Sequence, residues 1–200
     1  KGKYLGTGQY QEGSISVRIF EFKQQPINES YWKAKLLKAI DLRKKIGFND
    51  SKETNIYRLV HAEGDDLPGL IIDYYNGTAV IQCHSIGMWL IKGVIADLLK
   101  EILPDIKAIY DKSAETLPKK HVEEHQIENQ FLYGENNADF EGREYGNDFS
   151  INWVTGQKTG FFIDQRENRK LLGELSKDKK ILNTFCYSGG FSIYALNNGA

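Results

Sequence analysis

Lys179-Lys-Ile-Leu-Asn-Thr-Phe-Cys-Tyr-Ser-Gly-Gly-Phe-Ser-Ile-Tyr-Ala-Leu-Asn-Asn198 is the stretch whose reading decides the fold class. Lys179 to Phe185 reads as a strand, Cys186 to Gly190 as a glycine turn, and Phe191 to Asn198 as a helix. Strand, glycine turn and helix in that order form the opening unit of a Rossmann-like parallel sheet. Gly189 and Gly190 lack Cβ, so the backbone there can reverse sharply and let a ligand approach. The exposed amides at the start of the helix favour a polar or negative ligand group. That logic suits a dinucleotide or S-adenosylmethionine. A simple tight strand-to-helix turn would use the same glycines.

What the turn lacks narrows the choice. A dinucleotide fingerprint needs Gly-x-Gly-x-x-Gly, and this run has only the adjacent pair Gly189-Gly190. There is no Gly-Lys-Ser/Thr, which excludes a P-loop. A compact aromatic loop suits a cofactor without a pyrophosphate. One strand and one helix do not complete a doubly wound sheet. The only Met is Met88, and the chain starts at Lys1. The expectation is therefore a chain truncated at both ends.

The second signal lies just upstream. Gly156 to Arg169 gathers Gln157, Lys158, Asp164, Gln165, Arg166, Asn168 and Arg169 around Gly160-Phe161-Phe162. Polar groups wrapped around two aromatics are costly to bury without partners. The segment could lie across a cofactor pocket or a substrate entrance. Alternatively, Phe161 and Phe162 are core and the charges cap the next helix.

Working towards the N-terminus, Phe149 to Val154 alternates as a strand, and His121 to Glu141 is polar and acidic. His121, Glu124 and His125 have the order of an inverted zincin motif. No apolar periodicity supports a helix there and no third ligand is evident, so a solvated loop is expected. Tyr57–Glu63, Leu70–Tyr75 and Thr78–Cys83 read as strands, with the hairpin signal Asn76-Gly77 between the last two. A helix over Ile86–Leu103, stopped by Pro104, and a strand Ala108–Asp111 complete a meander with a covering helix. Ser30 to Ile46 is a helix with apolar Trp32, Leu36, Leu37, Ile40 and Ile46, ended by Gly47. Its lysines could meet RNA phosphates; a solvated helix face accounts for the same residues. Ile15, Val17 and Ile19 share one face of a β-like stretch punctuated by Gly6, Gly8 and Gly13.

Bulk properties exclude other classes. Hydrophobic residues make up 40% and charged residues 26%, an ordinary globular composition. No apolar run approaches a membrane span, and no apolar signal region follows Lys1. The net charge of −1, from 26 basic and 27 acidic residues, does not advertise nucleic-acid binding. Cys83 and Cys186 fall in what read as buried strands, which suits reduced core thiols in a cytoplasmic protein.

Thr155–Arg169 together with Asn183–Ser192 closely resembles the ribosomal RNA large-subunit methyltransferase family that includes the cytosine-C5 enzymes. Arg58–Asp73 resembles that family's central domain, so the likeness covers nearly the whole chain. The implied fold class is α/β and α+β multidomain. Residues 1–25 would be the tail of a β-rich PUA domain, 26–140 a central α+β domain, and 141–200 the start of a Rossmann-like methyltransferase domain. The resemblance implies S-adenosylmethionine as cofactor, contacted by Phe185, Tyr187, Ser188, Gly189 and Gly190. Phe162, Asp164, Gln165 and Arg169 are implied as pocket or substrate-side residues. It also implies ribosomal RNA as partner, no membrane, and a homodimer as an option. The expected reaction is methylation of C5 of a cytosine in 23S ribosomal RNA. That chemistry needs a cysteine thiolate to add to C6. By the family pattern the nucleophile, the Asp-Pro-Pro loop and the ribose-binding acid lie beyond Ala200, so this length alone is expected to be inactive. Cys186 matches a cofactor-loop position instead. The chain departs from the family at Lys112-Ser113-Ala114, where Arg-Ser-Asp is common, and at Ser188, commonly Thr. Readings left beside this one are a methyltransferase for another base, a non-catalytic RNA-binding module, and a nucleotide-dependent oxidoreductase.

Overall fold

The computed structural model describes residues 2–48, 51–135 and 140–200, with the backbone alone at position 140. The chain opens with a hairpin of β1 (Thr7–Tyr10) and β2 (Val17–Glu21). Ile15, Val17 and Ile19 are exposed on it. Helix α1 (Glu29–Lys45) follows, one residue offset from its sequence reading. Asn28 caps it by accepting from the Tyr31 amide at 3.1 Å, and Arg43, Lys44 and Lys45 complement its C-terminal dipole. Trp32, Leu36, Ala39 and Ile40 are buried at helical spacing. Four of the five lysines of α1 pair within the chain: Lys33 with Glu101, Lys35 and Lys38 with Asp66, and Lys45 with Asp41.

A five-stranded sheet forms the centre, in the order β3 (Ile56–His61), β4 (Leu70–Tyr75), β5 (Thr78–Cys83), β6 (Ala108–Asp111) and β7 (Gln130–Tyr133). Its pairs are antiparallel except β5 with β6, which run parallel. Asn76 and Gly77 turn β4 into β5 with φ of 45° and 104°, the left-handed pair that a two-residue hairpin needs. The β5–β6 crossover was read as one helix over Ile86–Leu103. The structure breaks it at Ile91 into α2 (Ile86–Leu90) and α3 (Lys92–Ile102).

The period-2 pattern of the strands divides the core between the two sheet faces. Tyr57, Leu59, Ile72, Ala79, Ile81 and Ile109 pack under α1 and α3. Ile56, Tyr75, Val80 and Tyr110 join Phe149, Ile151, Trp153, Phe161, Ile163 and Tyr194 on the opposite side. That second layer contains the hairpin β8 (Phe140–Glu144) and β9 (Asn147–Ile151), helix α5 (Arg166–Leu175) and helix α6 (Gly190–Asn197). The β8–β9 turn is tied to the segment before β3: Gly146 donates to Glu53 O at 2.8 Å and Tyr145 N to Thr54 Oγ1 at 3.0 Å.

Three expectations need correction. Lys179–Phe185 is not a strand, and among the described residues no neighbouring strand pairs with it. Its Leu182 and Phe185 are 86% and 94% exposed. A strand exists only through its ladder, whatever its β propensity. Second, Cys186 is exposed, whereas Cys83 is buried in β5. Third, His121–Glu141 is not one solvated loop. It contains part of α4 (Lys119–His125), then β7 and the start of β8, while 136–139 lie outside the described residues. Helix α4 buries no residue, so it left no apolar stripe to read. Its His121 and His125 rings lie 4.2 Å apart, and among the described residues no His/Cys/Asp/Glu group is arranged to hold a metal. No described helix is long and apolar enough to cross a membrane.

Candidate cofactor site

The site forms where the Gly156–Arg169 segment meets the Cys186–Gly190 turn. Gly189 has φ of 74° and its amide donates to Cys186 O at 2.7 Å, closing the turn and starting α6. A Cβ is strained at that φ. Tyr187 also sits at positive φ, 46°, an uncommon state for an aromatic residue. The reason is visible in its hydroxyl. It accepts from the Gln157 amide at 2.9 Å and donates to Gly160 O at 3.4 Å. The turn is thus stitched to the upstream segment. Gly156 leaves room for this contact, since a Cβ there would stand 3.0 Å from the Tyr187 hydroxyl and 2.3 Å from Asn152 O.

Between the two segments lies a cavity of about 700 Å³. Phe162, Asp164, Gln165 and Arg169 line it from one side, and Phe185, Tyr187, Ser188 and Gly190 from the other. Gly189 is outside the lining and acts through the turn's shape. Gln157, Lys158, Phe161, Cys186 and Phe191 line it too, although they were not singled out as site residues in the sequence reading. Gln157 and Lys158 belong to the polar run already noted in the sequence, and Phe161, Cys186 and Phe191 each flank a residue expected in the site.

The two adjacent phenylalanines have different tasks. Phe161 is 2% exposed and belongs to the core between β9 and α6. Phe162 is half-buried and meets the Tyr187 ring edge-on at 5.2 Å, making an aromatic corner of the cavity. Lys158 places its ammonium 4.4 Å from the Phe162 ring centre and 3.6 Å from Asp164. Partial burial would raise the Asp164 pKa. The Gln165 hydrogen bond and the charges of Lys158 and Arg58 outweigh it and hold the carboxyl below its ordinary value.

Arg169 lines the cavity with a guanidinium that is already committed. Its Nε and Nη2 donate to the two oxygens of Glu144 at 2.8 Å each, and Nη1 donates to Phe162 O at 2.9 Å. Glu144, fully buried, also accepts from Arg166 Nε at 3.1 Å and Tyr194 OH at 3.1 Å. This network fastens β8 to α5 and α6 and fixes the Phe162 carbonyl. Arg169 is therefore a positioning element of the wall: its side chain is 2% exposed and three of its five N–H donors are spent on Glu144 and Phe162 O. The departure at Lys112 also has a structural role. Its buried ammonium donates to Trp153 O at 2.7 Å and to Gly156 O, anchoring the start of the site segment to β6.

A family model described as S-adenosylmethionine-dependent methyltransferase matches residues 100–200, half of the chain. Ribosomal RNA large subunit methyltransferase I of Alteromonas mediterranea is 34% identical over all of this chain and 50% of its own length. The protein of the same name from Vibrio vulnificus is 37% identical over all of this chain and 49% of its own. A protein from Streptococcus mutans, assigned as a SAM-dependent methyltransferase, superposes with a TM-score of 0.83 at 26% identity, over 98% of this chain and 50% of that one. A structure of an assigned methyltransferase complexed with SAH matches with the same TM-score and identity, over 98% and 49%. The chain spans about half the length of the curated relatives it matches. With a family model matching residues 100–200, half of its length, and a shared fold, this chain belongs to the S-adenosylmethionine-dependent methyltransferase family.

Proposed function

We propose that this chain carries the cofactor-binding entrance of an S-adenosylmethionine-dependent methyltransferase that modifies large-subunit ribosomal RNA. The observation that carries the reading is the single cavity built from Phe162, Asp164 and Gln165 on one side and Phe185, Tyr187 and Ser188 on the other. Its chemistry fits the cofactor. The faces of Phe162, Phe185 and Tyr187 suit a flat adenine and a sulfonium cation. Asp164, held ionised, suits the cofactor's ammonium group. The first amides of α6 favour a polar or anionic group, and the turn has no cradle for a pyrophosphate. S-adenosylmethionine bound there would supply an electrophilic methyl group. The chain's own residues would orient it and exclude water from the aromatic corner.

The RNA reading draws on the curated relatives, named as ribosomal RNA methyltransferases. The finer proposal is C5 of a cytosine in 23S ribosomal RNA. Neither thiol of this chain takes the nucleophile's role in it. Cys83 is buried in the sheet with its thiol pushed up to about 12 by burial, and Cys186 belongs to the cofactor wall. The domain division that goes with this reading places a PUA tail at 1–25, a central domain at 26–140 and a methyltransferase segment at 141–200.

Calorimetric titration of the full-length protein with S-adenosylmethionine, with NADH as control, tests the proposal. Micromolar binding of the first alone is expected, abolished by Gly189→Val, because a β-branched residue resists the 74° φ of that turn. A folded full-length protein that binds neither would favour an RNA-binding module without catalysis.

A further inference from the structure

A second cavity, of about 540 Å³, lies beside the first and shares Gln157 and Lys158 with it. It opens on the sheet face that carries Arg58, Ile71, Gln82 and His84, and Lys112, Glu115 and Thr116 complete its wall. Gln82 decides its meaning. Its side chain is 7% exposed on the central strand β5, opposite Ile71. Among the described residues it makes no hydrogen bond, although it lines the cavity. The amide faces the open cavity with its donors and its acceptor uncommitted. Those groups are available to a ligand.

The neighbours describe that ligand. Arg58 is held rigid in the wall by Asp73, with Nε–Oδ1 at 2.9 Å and Nη2–Oδ2 at 3.1 Å, and Thr159 donates to the same carboxylate at 2.6 Å. Lys158 adds a half-exposed ammonium at the boundary with the cofactor cavity. His84 stands at the open rim; the packing around its ring and the charge of Arg58 lower its pKa, which favours neutral imidazole with one donor and one acceptor. Glu115 only accepts, which suits an amine. Ile71 supplies an apolar contact. Fixed cations for a phosphate, an amide and an imidazole for a base edge, and an apolar surface are what an unstacked nucleotide meets in single-stranded RNA recognition.

We propose that this cavity receives an unstacked nucleotide of the RNA substrate, its base edge read by Gln82, beside the methyl donor. The inference rests on the ribosomal RNA methyltransferase reading above. It also gives the shared wall a purpose, since a base must leave its stack to reach a methyl donor.

The test uses the full-length protein and two separate measurements. S-adenosylmethionine titration comes first; absence of binding by the wild type overturns the methyltransferase reading itself, independently of Gln82. Binding of a short mixed-sequence single-stranded RNA is then followed by fluorescence anisotropy for the wild type and for Gln82→Leu. The expected result is RNA affinity weakened about tenfold with cofactor affinity unchanged. The denaturation midpoint should not fall, because Leu removes an open amide from the sheet. RNA affinity within about twofold of the wild type, with cofactor binding intact, overturns the proposal. Should Gln82→Leu not fold, photocrosslinking of bromouridine-substituted RNA to the wild type decides. Crosslinks on peptides holding Gln82–His84 or Gln157–Lys158 support the cavity, and crosslinks confined elsewhere, or none, overturn it.

Discussion

Glu144→Gln tests the scaffold of the cofactor wall most directly. Glu144 has no exposure, and the side chains of Arg166 and Arg169 are 7% and 2% exposed. One carboxylate is therefore shared by two buried guanidiniums. Removing one partner from a buried ion pair costs about 3–5 kcal/mol, because a charge is left without compensation. Glutamine keeps a hydrogen-bond acceptor for Arg169 or Tyr194, which places the loss at the low end, about 3 kcal/mol. For a chain of this size that is about 6–12 °C in melting temperature. Urea denaturation of the full-length protein should show a lower midpoint at an unchanged slope. Cofactor affinity should fall with it, since Arg169 would no longer hold Phe162 O in place. A loss under about 1 kcal/mol is what exposed pairs give. That result would mean that water reaches the two guanidiniums and that the buried network does not exist in solution.

Two further predictions concern the turn and the thiols. Tyr187→Phe removes the acceptor of the Gln157 amide, so S-adenosylmethionine affinity should weaken by about fivefold, the worth of roughly one hydrogen bond, with little change in stability. Unchanged affinity in calorimetry would show that the bridge does not shape the cavity. In the native protein Cys186 should react with a thiol reagent while Cys83 stays protected, and equal rates would refute the burial assigned to β5. The Cys83 thiol is raised from 9.0 to about 12, chiefly by burial. Above 9 the unfolded chain gives up this proton and the folded chain keeps it. The stabilisation is thus complete below about pH 9 and lost as pH rises towards 12, about 1 kcal/mol of it by pH 10. Urea midpoints should fall over that range, and Cys83→Ala should flatten the fall.

Local chemistry made several elements legible. Gly47 ends α1, Asn76-Gly77 turns β4 into β5, and the alternation in β3, β4 and β5 sorts side chains between two cores. The two segments that line the proposed cofactor cavity were also marked in the sequence, because glycines at a turn before a helix and polar residues around paired aromatics are sequence-local signals. Other features were not. The apolar pattern of Ile86–Leu103 runs unbroken through Ile91, so nothing in it announces the break. Arg169 was expected as a pocket or substrate-side residue, and its pairing with Glu144, distant in sequence, could not be read from either position.

The residues by themselves determined local conformation: where left-handed backbone is tolerated, where helices start, and which side chains seek apolar surroundings. Those preferences act over a few residues, so one chain suffices to read them. The tertiary structure decided what depends on partners. Among the described residues Lys179–Phe185 has no paired strand, and propensity alone cannot supply a ladder; Cys186 is exposed instead of buried. The tertiary structure also brought Gln82 of β5 beside Gln157 and Lys158 of the cofactor segment. Hydrogen bonds and burial are properties of pairs, and the partner's place in space is not written at either position alone.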